Sequence, residues 1–312
     1  MKSAIVFSCL IACATAASWS YNYGAANGPN NWGMLPGFST CGNGTKQTPI
    51  DIVRASATRQ TYPTLSFSGA TNETDWTIQN NGHSVAALPT ADIWLSGGPL
   101  GSKVYKVYNI HIHFGNSSFR ASEHSFDGGQ RTTGEFHVVT YDRTFSNIGE
   151  AVASNRGDAL SVFGVLFQAQ TGQTYDAGIT SLINMAANLT YAGDDYVDGL
   201  DFSTMVSALD LQQYYSYMGS LTTPGCAEVV SWIVANRLHY VSPAAIDQLM
   251  SLKAGMSATP GIDLQGNTRP LQALNGRTVS RSFDLSGSIS TLFSANIYTL
   301  LAALLVAFLA RN

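Results

Sequence analysis

The sequence predicts a mainly β (α+β) single domain with short helices on its periphery. Three observations predict it. Short alternating or apolar runs are repeatedly broken by Gly, Pro, Asn and Ser. Helical spacing is sparse. Between two apolar ends, the chain carries no internal repeat and no linker long enough to divide it. About 270 residues lie between those ends, enough for one domain with a substantial core.

The strand candidates, in order, are 64–68, 76–79, 83–88, 104–114, 134–141, 160–168 and 227–235. VLFQAQ (165–170) and VVSWIVAN (229–236) are apolar without alternation, as expected of central strands buried on both faces. NIGEAVAS (147–154) and AGITSLINMAANL (177–189) have helical spacing. Ser242-Pro243 followed by AAIDQLMSL reads as an N-cap with Pro at the first helical position.

The ends read as processing signals. Lys2 followed by AIVFSCLIACA (4–14) and the small residues Thr15, Ala16 and Ala17 form a secretory signal over 1–17, too short to span a bilayer. At the other end IYTLLAALLVAFLA (297–310) is apolar and only Arg311 and Asn312 follow. With the small triplet Ser286, Gly287 and Ser288 upstream, residues 289–312 fit a GPI-attachment propeptide. Ser294-Ala295-Asn296 is a second attachment candidate, and a single transmembrane helix over 289–310 is the alternative. No basic cluster follows to hold such a helix in place. The expected domain is 18–288, on the extracellular side.

That removal changes the counts. Losing Lys2 and Arg311 takes the formal charge from −4 to −6. No basic patch points to nucleic acid. Cys9 and Cys13 leave with the signal; Cys41 and Cys226 remain, and in an oxidising compartment they read as one disulfide rather than two free thiols. Asn43, Asn72, Asn116 and Asn188 begin sequons, each a candidate glycosylation site in a secreted chain.

The chemistry concentrates in one segment. Of six histidines, four (His111, His113, His124 and His137) fall within residues 111–137. Two residues apart on a strand, His111 and His113 share a face. A third imidazole from a neighbouring strand completes a three-nitrogen base with one open position, the pattern of a catalytic zinc site. Lone strand histidines are usually hydrogen-bonded core residues. Two on one face of an apolar strand are harder to satisfy that way. Zinc suits ligands that are all imidazole.

Taken together, WSYNYGAANGPNNW (19–32), KQTPIDI (46–52), NNGHSV (80–85), NIHIHFG (109–115), ASEHSFDGG (121–129), GEFHVVTYD (134–142), GSLTTPGCAEVVSWIV (219–234) and NTRPLQALNGR (267–277) resemble the α-class carbonic anhydrases, in order and spacing, over Trp19 to Phe283. The resemblance implies a large, mostly antiparallel twisted sheet and reversible hydration of carbon dioxide to bicarbonate. It implies Zn²⁺ held by His111, His113 and His137, whose bound water ionises at a pKa of about 7. Thr222 matches the hydroxyl that orients the resulting hydroxide, and Glu123 the carboxylate that accepts the Thr222 proton. Glu135 and Asn109 match partners of the ligands His137 and His111. His124 matches a buried structural histidine and not a fourth ligand.

His83 matches the family's proton shuttle, and Tyr23 and Asn81 match residues that order water toward it. Val139, Val162, Leu221, Thr223, Val230 and Trp232 match the substrate pocket. The Cys41–Cys226 pair matches a disulfide of secreted and membrane-anchored relatives. Three departures stand out: Ala86 where some relatives are polar, Phe114 after the second ligand, and Gly225 where a second proline would stiffen the Thr-Thr-Pro loop. A non-catalytic extracellular binding or matrix module on the same fold is the rival reading. Such members typically lack a ligand, and this chain keeps all three.

Overall fold

A computed structural model describes residues 19–115, 120–129 and 131–285. Among them the strands are β1 (Asp51–Ile52), β2 (Thr58–Arg59), β3 (Ser66–Gly69), β4 (Glu73–Asn80), β5 (Val85–Pro89), β6 (Ile93–Ser96), β7 (Val104–Phe114), β8 (Ser125–Phe126), β9 (Gly134–Asp142), β10 (Leu160–Ala169), β11 (Asp195–Asp201), β12 (Tyr214–Gly219), β13 (Val230–Ala235), β14 (His239–Val241) and β15 (Ser280–Arg281). The helices are α1 (Thr40–Asn43), α2 (Ile148–Ala153), α3 (Ala177–Ala186), α4 (Phe202–Ala208) and α5 (Pro243–Leu249). The signal and tail segments, Asn116 and the Ser286, Gly287, Ser288 triplet lie outside the described residues. No helix of the described residues is long and apolar enough to cross a membrane.

One large twisted sheet runs β11-β4-β5-β7-β9-β10-β13-β12-β15-β2. Strands β3, β6 and β14 join it off that path. It is mixed: nine of its twelve pairings are antiparallel, while β10 pairs with β13 and β14, and β15 with β2, in parallel. The two apolar runs fall in β10 and β13, both central; β13 is buried throughout, while the first run is buried only through Phe167 and ends beyond β10 at the exposed Gln170. The three expected helices form, with Asn147 and Asp176 capping α2 and α3 by accepting from Glu150 N and Ile179 N. Pro243 starts α5, though the Ser242 side chain makes no capping bond.

The sheet separates two apolar clusters. One face, including Ile110, Ile112, Phe136, Val138, Phe163 and Phe167, packs under α3, α4 and α5. The other gathers Val139, Val162, Leu166, Tyr217, Val230 and Trp232. Strand β7 changes parity between them. Tyr105 and Val107 lie in the first cluster, but so do Ile110 and Ile112, because the β7–β9 register shifts between Val107 and Asn109. Tyr108 is the extra residue, 38% exposed. A one-residue insertion turns every later side chain to the opposite face. The bulge thus delivers Asn109, His111 and His113 to the second face, with His111 paired to His137.

Candidate metal centre and active site

Strands β7 and β9 bring His111, His113 and His137 together. Their ring centroids are 5.1 Å (111–113), 5.1 Å (111–137) and 4.6 Å (113–137) apart. One nitrogen of each lies within 4.8 Å of the others. His113 and His137 are 1% exposed, and His111 is half-buried.

The outer nitrogen of each ring is tied down. His113 Nδ1 lies 2.5 Å from the Asn267 carbonyl. His137 Nε2 lies 3.0 Å from Glu135 Oε1, and His111 Nδ1 lies 3.2 Å from Asn109 Oδ1. Each partner is an oxygen that accepts, so each outer nitrogen carries the hydrogen and each inner one keeps its lone pair. His113 Nε2 and His137 Nδ1 then face one another at 3.2 Å. A tetrahedral ion about 2.0–2.1 Å from two nitrogens would hold them about 3.3 Å apart. The donor set and spacing fit zinc. Burial, then repulsion from the neighbouring rings, pushes the His111 pKa well below its ordinary value. In His113 burial outweighs the Glu123 carboxyl, and its pKa also falls. Both therefore favour the neutral imidazole a metal requires.

Glu135 is fully buried and anchors a longer relay. Its Oε1 is shared by His137 Nε2 and His124 Nδ1, the latter at 2.7 Å, and its Oε2 accepts from the His124 backbone. His124 Nε2 meets the Tyr217 hydroxyl at 2.7 Å. Burial alone would raise the Glu135 pKa, but His124 and His137 hold it well below the usual carboxylate range. Gly164, paired with His137 on β10, makes room for this: a Cβ there would lie 2.7 Å from Glu135 Oε1.

Glu123 also lies at the triad, fully buried, with Oε2 at 3.6 Å from His113 Nε2 and 4.0 Å from His137 Nδ1. Its Oε1 accepts from Arg269 N, while Oε2 has no hydrogen-bond partner among the described residues. A buried oxygen left without a donor beside three converging lone pairs suits a site completed by a cation and its ligand.

Thr222 leads into a tight turn that Thr223 opens, in which Cys226 N donates to Thr223 O. Gly225 has φ of +100°, which suits the third position of a turn with Pro224 second. Gly225 is therefore fitted to the turn, where the sequence suggested only a looser loop. Cys226 is bonded to Cys41 with Cα atoms 5.0 Å apart. Val139, Val162, Val230 and Trp232 belong to one buried apolar cluster, with Leu221 packed against it. The Trp232 and His137 rings are 4.9 Å apart.

Residues 27–283 match the family model of eukaryotic-type carbonic anhydrases. The chain belongs to that family. It is accordingly a carbonate dehydratase, hydrating carbon dioxide. Carbonic anhydrase 1 of Mus musculus is 32% identical over 275 residues, covering 86% of this chain and all of that protein. Carbonic anhydrase 4 of Oryctolagus cuniculus is 31% identical over 85% of this chain and 84% of its own length. Carbonic anhydrase 6 of Canis lupus familiaris is 33% identical over 85% and 80%.

Other positions of this carbonic anhydrase fall less simply. His83 stacks on Trp19, ring centroids 3.7 Å apart and planes 11° from parallel, and burial lowers its pKa to about 4. Asn81 Oδ1 accepts from the backbones of His83 and Ser84, and the Tyr23 hydroxyl donates to Thr268 O. For Tyr21, burial and then Glu123 raise the pKa well above the ordinary value. Ala86 pairs with His111 and is buried. Tyr21, Trp19, Asn267, Arg269, Tyr217 and Gly164 were not singled out by sequence. Asn267 and Arg269 open the NTRPLQ segment, the one signal available for them. Asn43, Asn72 and Asn188 are exposed.

Proposed function

We propose that His111, His113 and His137 hold a zinc ion and that hydration proceeds at its open position, on the extracellular side of a membrane. The carrying observation is the convergence of three imidazole lone pairs, each fixed by an acceptor on the opposite ring nitrogen. The bound ion would supply acidity, bringing the pKa of water to about 7. The chain's own residues do the rest. Glu123 Oε2, which no donor reaches among the described residues, is free to accept a hydrogen bond from the Thr222 hydroxyl; the Thr222 oxygen would then accept from the attacking water and aim that water's lone pair at carbon dioxide. Val139, Val162, Leu221, Val230 and Trp232, with Thr223 at the rim, receive an uncharged substrate and exclude bulk water. Asn109, Glu135 and the Asn267 carbonyl keep the rings in place.

One proton leaves for each bicarbonate formed, and His83 carries it, with Tyr23 and Asn81 ordering water on the way. Against Trp19 the ring is neutral at pH 7 and a weak base, so it accepts once it swings off the stack, where its pKa returns toward about 6.5. Cleavage after residue 17, a GPI anchor at Ser286, Gly287 or Ser288, the Cys41–Cys226 disulfide and glycans at Asn43, Asn72, Asn116 or Asn188 belong to the same extracellular reading. The exposure of three of those asparagines and the disulfide support it.

Stopped-flow hydration of carbon dioxide by His111→Ala tests the metal assignment. Loss of both zinc and turnover is expected; normal turnover without zinc would refute it. Release of the native protein from membranes by a phosphatidylinositol-specific phospholipase tests the anchor, and retention would favour a spanning helix.

A further inference from the structure

A cavity of about 350 Å³ opens beside the active site but shares none of its residues. Its walls carry Arg54, Arg120, Arg131 and Arg237, with Asp127 the one carboxylate among the lining residues. Phe126, Leu166 and Ala235 supply apolar lining. Three of the lining residues flank the histidine relay. Leu166 pairs with Glu135 across β10 and β9, and Phe126 and Asp127 lie two and three residues beyond His124.

The charge is unbalanced. Arg54 is ion-paired to Asp127 at 2.5 Å, with its guanidinium 4.2 Å above the Phe126 ring. Among the described residues, Arg120, Arg131 and Arg237 form no ion pair. Arg120 donates to Arg131 O, Arg131 to Ser122 O and Arg269 O, and Arg237 to Ala208 O. Carbonyl partners fix a guanidinium in place without neutralising it. Burial opposes ionisation of Asp51 and Asp176, but hydrogen bonds, from Ser125 and His239 foremost, with a smaller pull from Arg54 and Arg237, hold both below the usual range; neither lines the cavity. Three guanidiniums without an ion-pair partner among the described residues thus gather in one hollow of a chain whose net charge is −4.

That combination selects a ligand class. Planar guanidiniums bind oxyanions by paired hydrogen bonds. The volume lies within the range of small-molecule sites, and an apolar lining beneath a few convergent polar groups is their usual make-up. Phe126, Leu166 and Ala235 are themselves buried, but Leu238, 36% exposed, gives the hollow an apolar surface that a bare inorganic anion would leave wet. We propose that this cavity binds a small organic anion, an oxyanion group carried on a flat apolar body, at a site distinct from the histidine centre.

Naphthalene-2-sulfonate is a suitable probe, titrated calorimetrically into the intact zinc-loaded protein at low salt. One molecule should bind per chain, and the neutral naphthalene-2-methanol should bind at least about tenfold more weakly. Arg120→Gln/Arg237→Gln should weaken the sulfonate by about tenfold or more while leaving carbon dioxide hydration unchanged. Both side chains are exposed, so the variant should fold. Binding should persist when azide saturates the zinc. Absence of saturable binding, equal affinity in the double variant, equal affinity for the neutral analogue, or displacement by azide would each overturn the proposal; displacement would move the anion to the histidines.

Discussion

His113 Nε2 lies 3.2 Å from His137 Nδ1, although the partners behind both rings leave each of these nitrogens an acceptor. Two lone pairs pointed at one another in a buried site repel, and a cation between them turns that cost into ligation. Strand pairing, the bulge in β7 and the relay through Glu135 converge on this contact.

Glu135 is the first lever on it. Glu135→Gln keeps an oxygen for one neighbour but removes the charge that holds both His124 and His137. Zinc affinity should fall by about 10–100-fold, read by competition with a chromogenic chelator. Unchanged affinity would mean that the carboxylate does not orient the ligand.

Gly164→Ala would meet the His137 ring only at ordinary contact distance, 3.8 Å, and should produce a similar effect. The added Cβ would crowd Glu135 Oε1, 2.7 Å away. Weaker zinc binding, with about 1–3 kcal/mol lost from unfolding free energy in denaturant titration, is the expected outcome. A neutral substitution would show that Glu135 can shift without consequence.

Much of this was legible in the chain. The ligand strands, the two central apolar runs and the three predicted helices are where the sequence places them, because burial on both faces leaves an unbroken apolar run in a central strand and a one-sided core leaves the 3.6-residue pattern in a helix. The site's supports were not. Bulges carry no reliable signature: Tyr105 and Val107 share parity with His111 and His113, and only the extra residue at Tyr108 sends the histidines to the other face. Asn267 serves through its carbonyl, which every residue type possesses. Strand β11, DYVDGLD, is acidic and contains glycine. It pairs only with β4 at the sheet edge, where charge guards against further pairing and hides the strand pattern. Tyr21 and Tyr23 are two residues apart, and which one approaches Glu123 depends on the path of the N-terminal segment.

The stack of His83 on Trp19 predicts a titration. In wild type the His83 C2 proton, followed by NMR, should titrate near pH 4, and in Trp19→Ala its midpoint should rise toward about 6.5. The depressed pKa means the unfolded chain binds the proton more readily. The stabilisation from burying the neutral ring is therefore complete above about pH 6.5 and is lost as pH falls toward 4. A midpoint unaffected by Trp19→Ala would exclude the stack as the cause.

The disulfide should matter to stability and to the loop alike. Cys41→Ser should cost about 2–5 kcal/mol in denaturant unfolding. It should also lower turnover, since Cys226 closes the turn that carries Thr222 and Thr223. Full turnover at a temperature where the variant remains folded would separate the bridge from the site.

Titration of zinc into chelator-stripped protein, with carbon dioxide hydration followed by stopped flow, tests the central claim most directly. Activity should rise linearly and stop at one zinc per chain, and His137→Ala should show no such rise. Hydration at the full rate in the stripped protein, or saturation unaffected by His137→Ala, would contradict it.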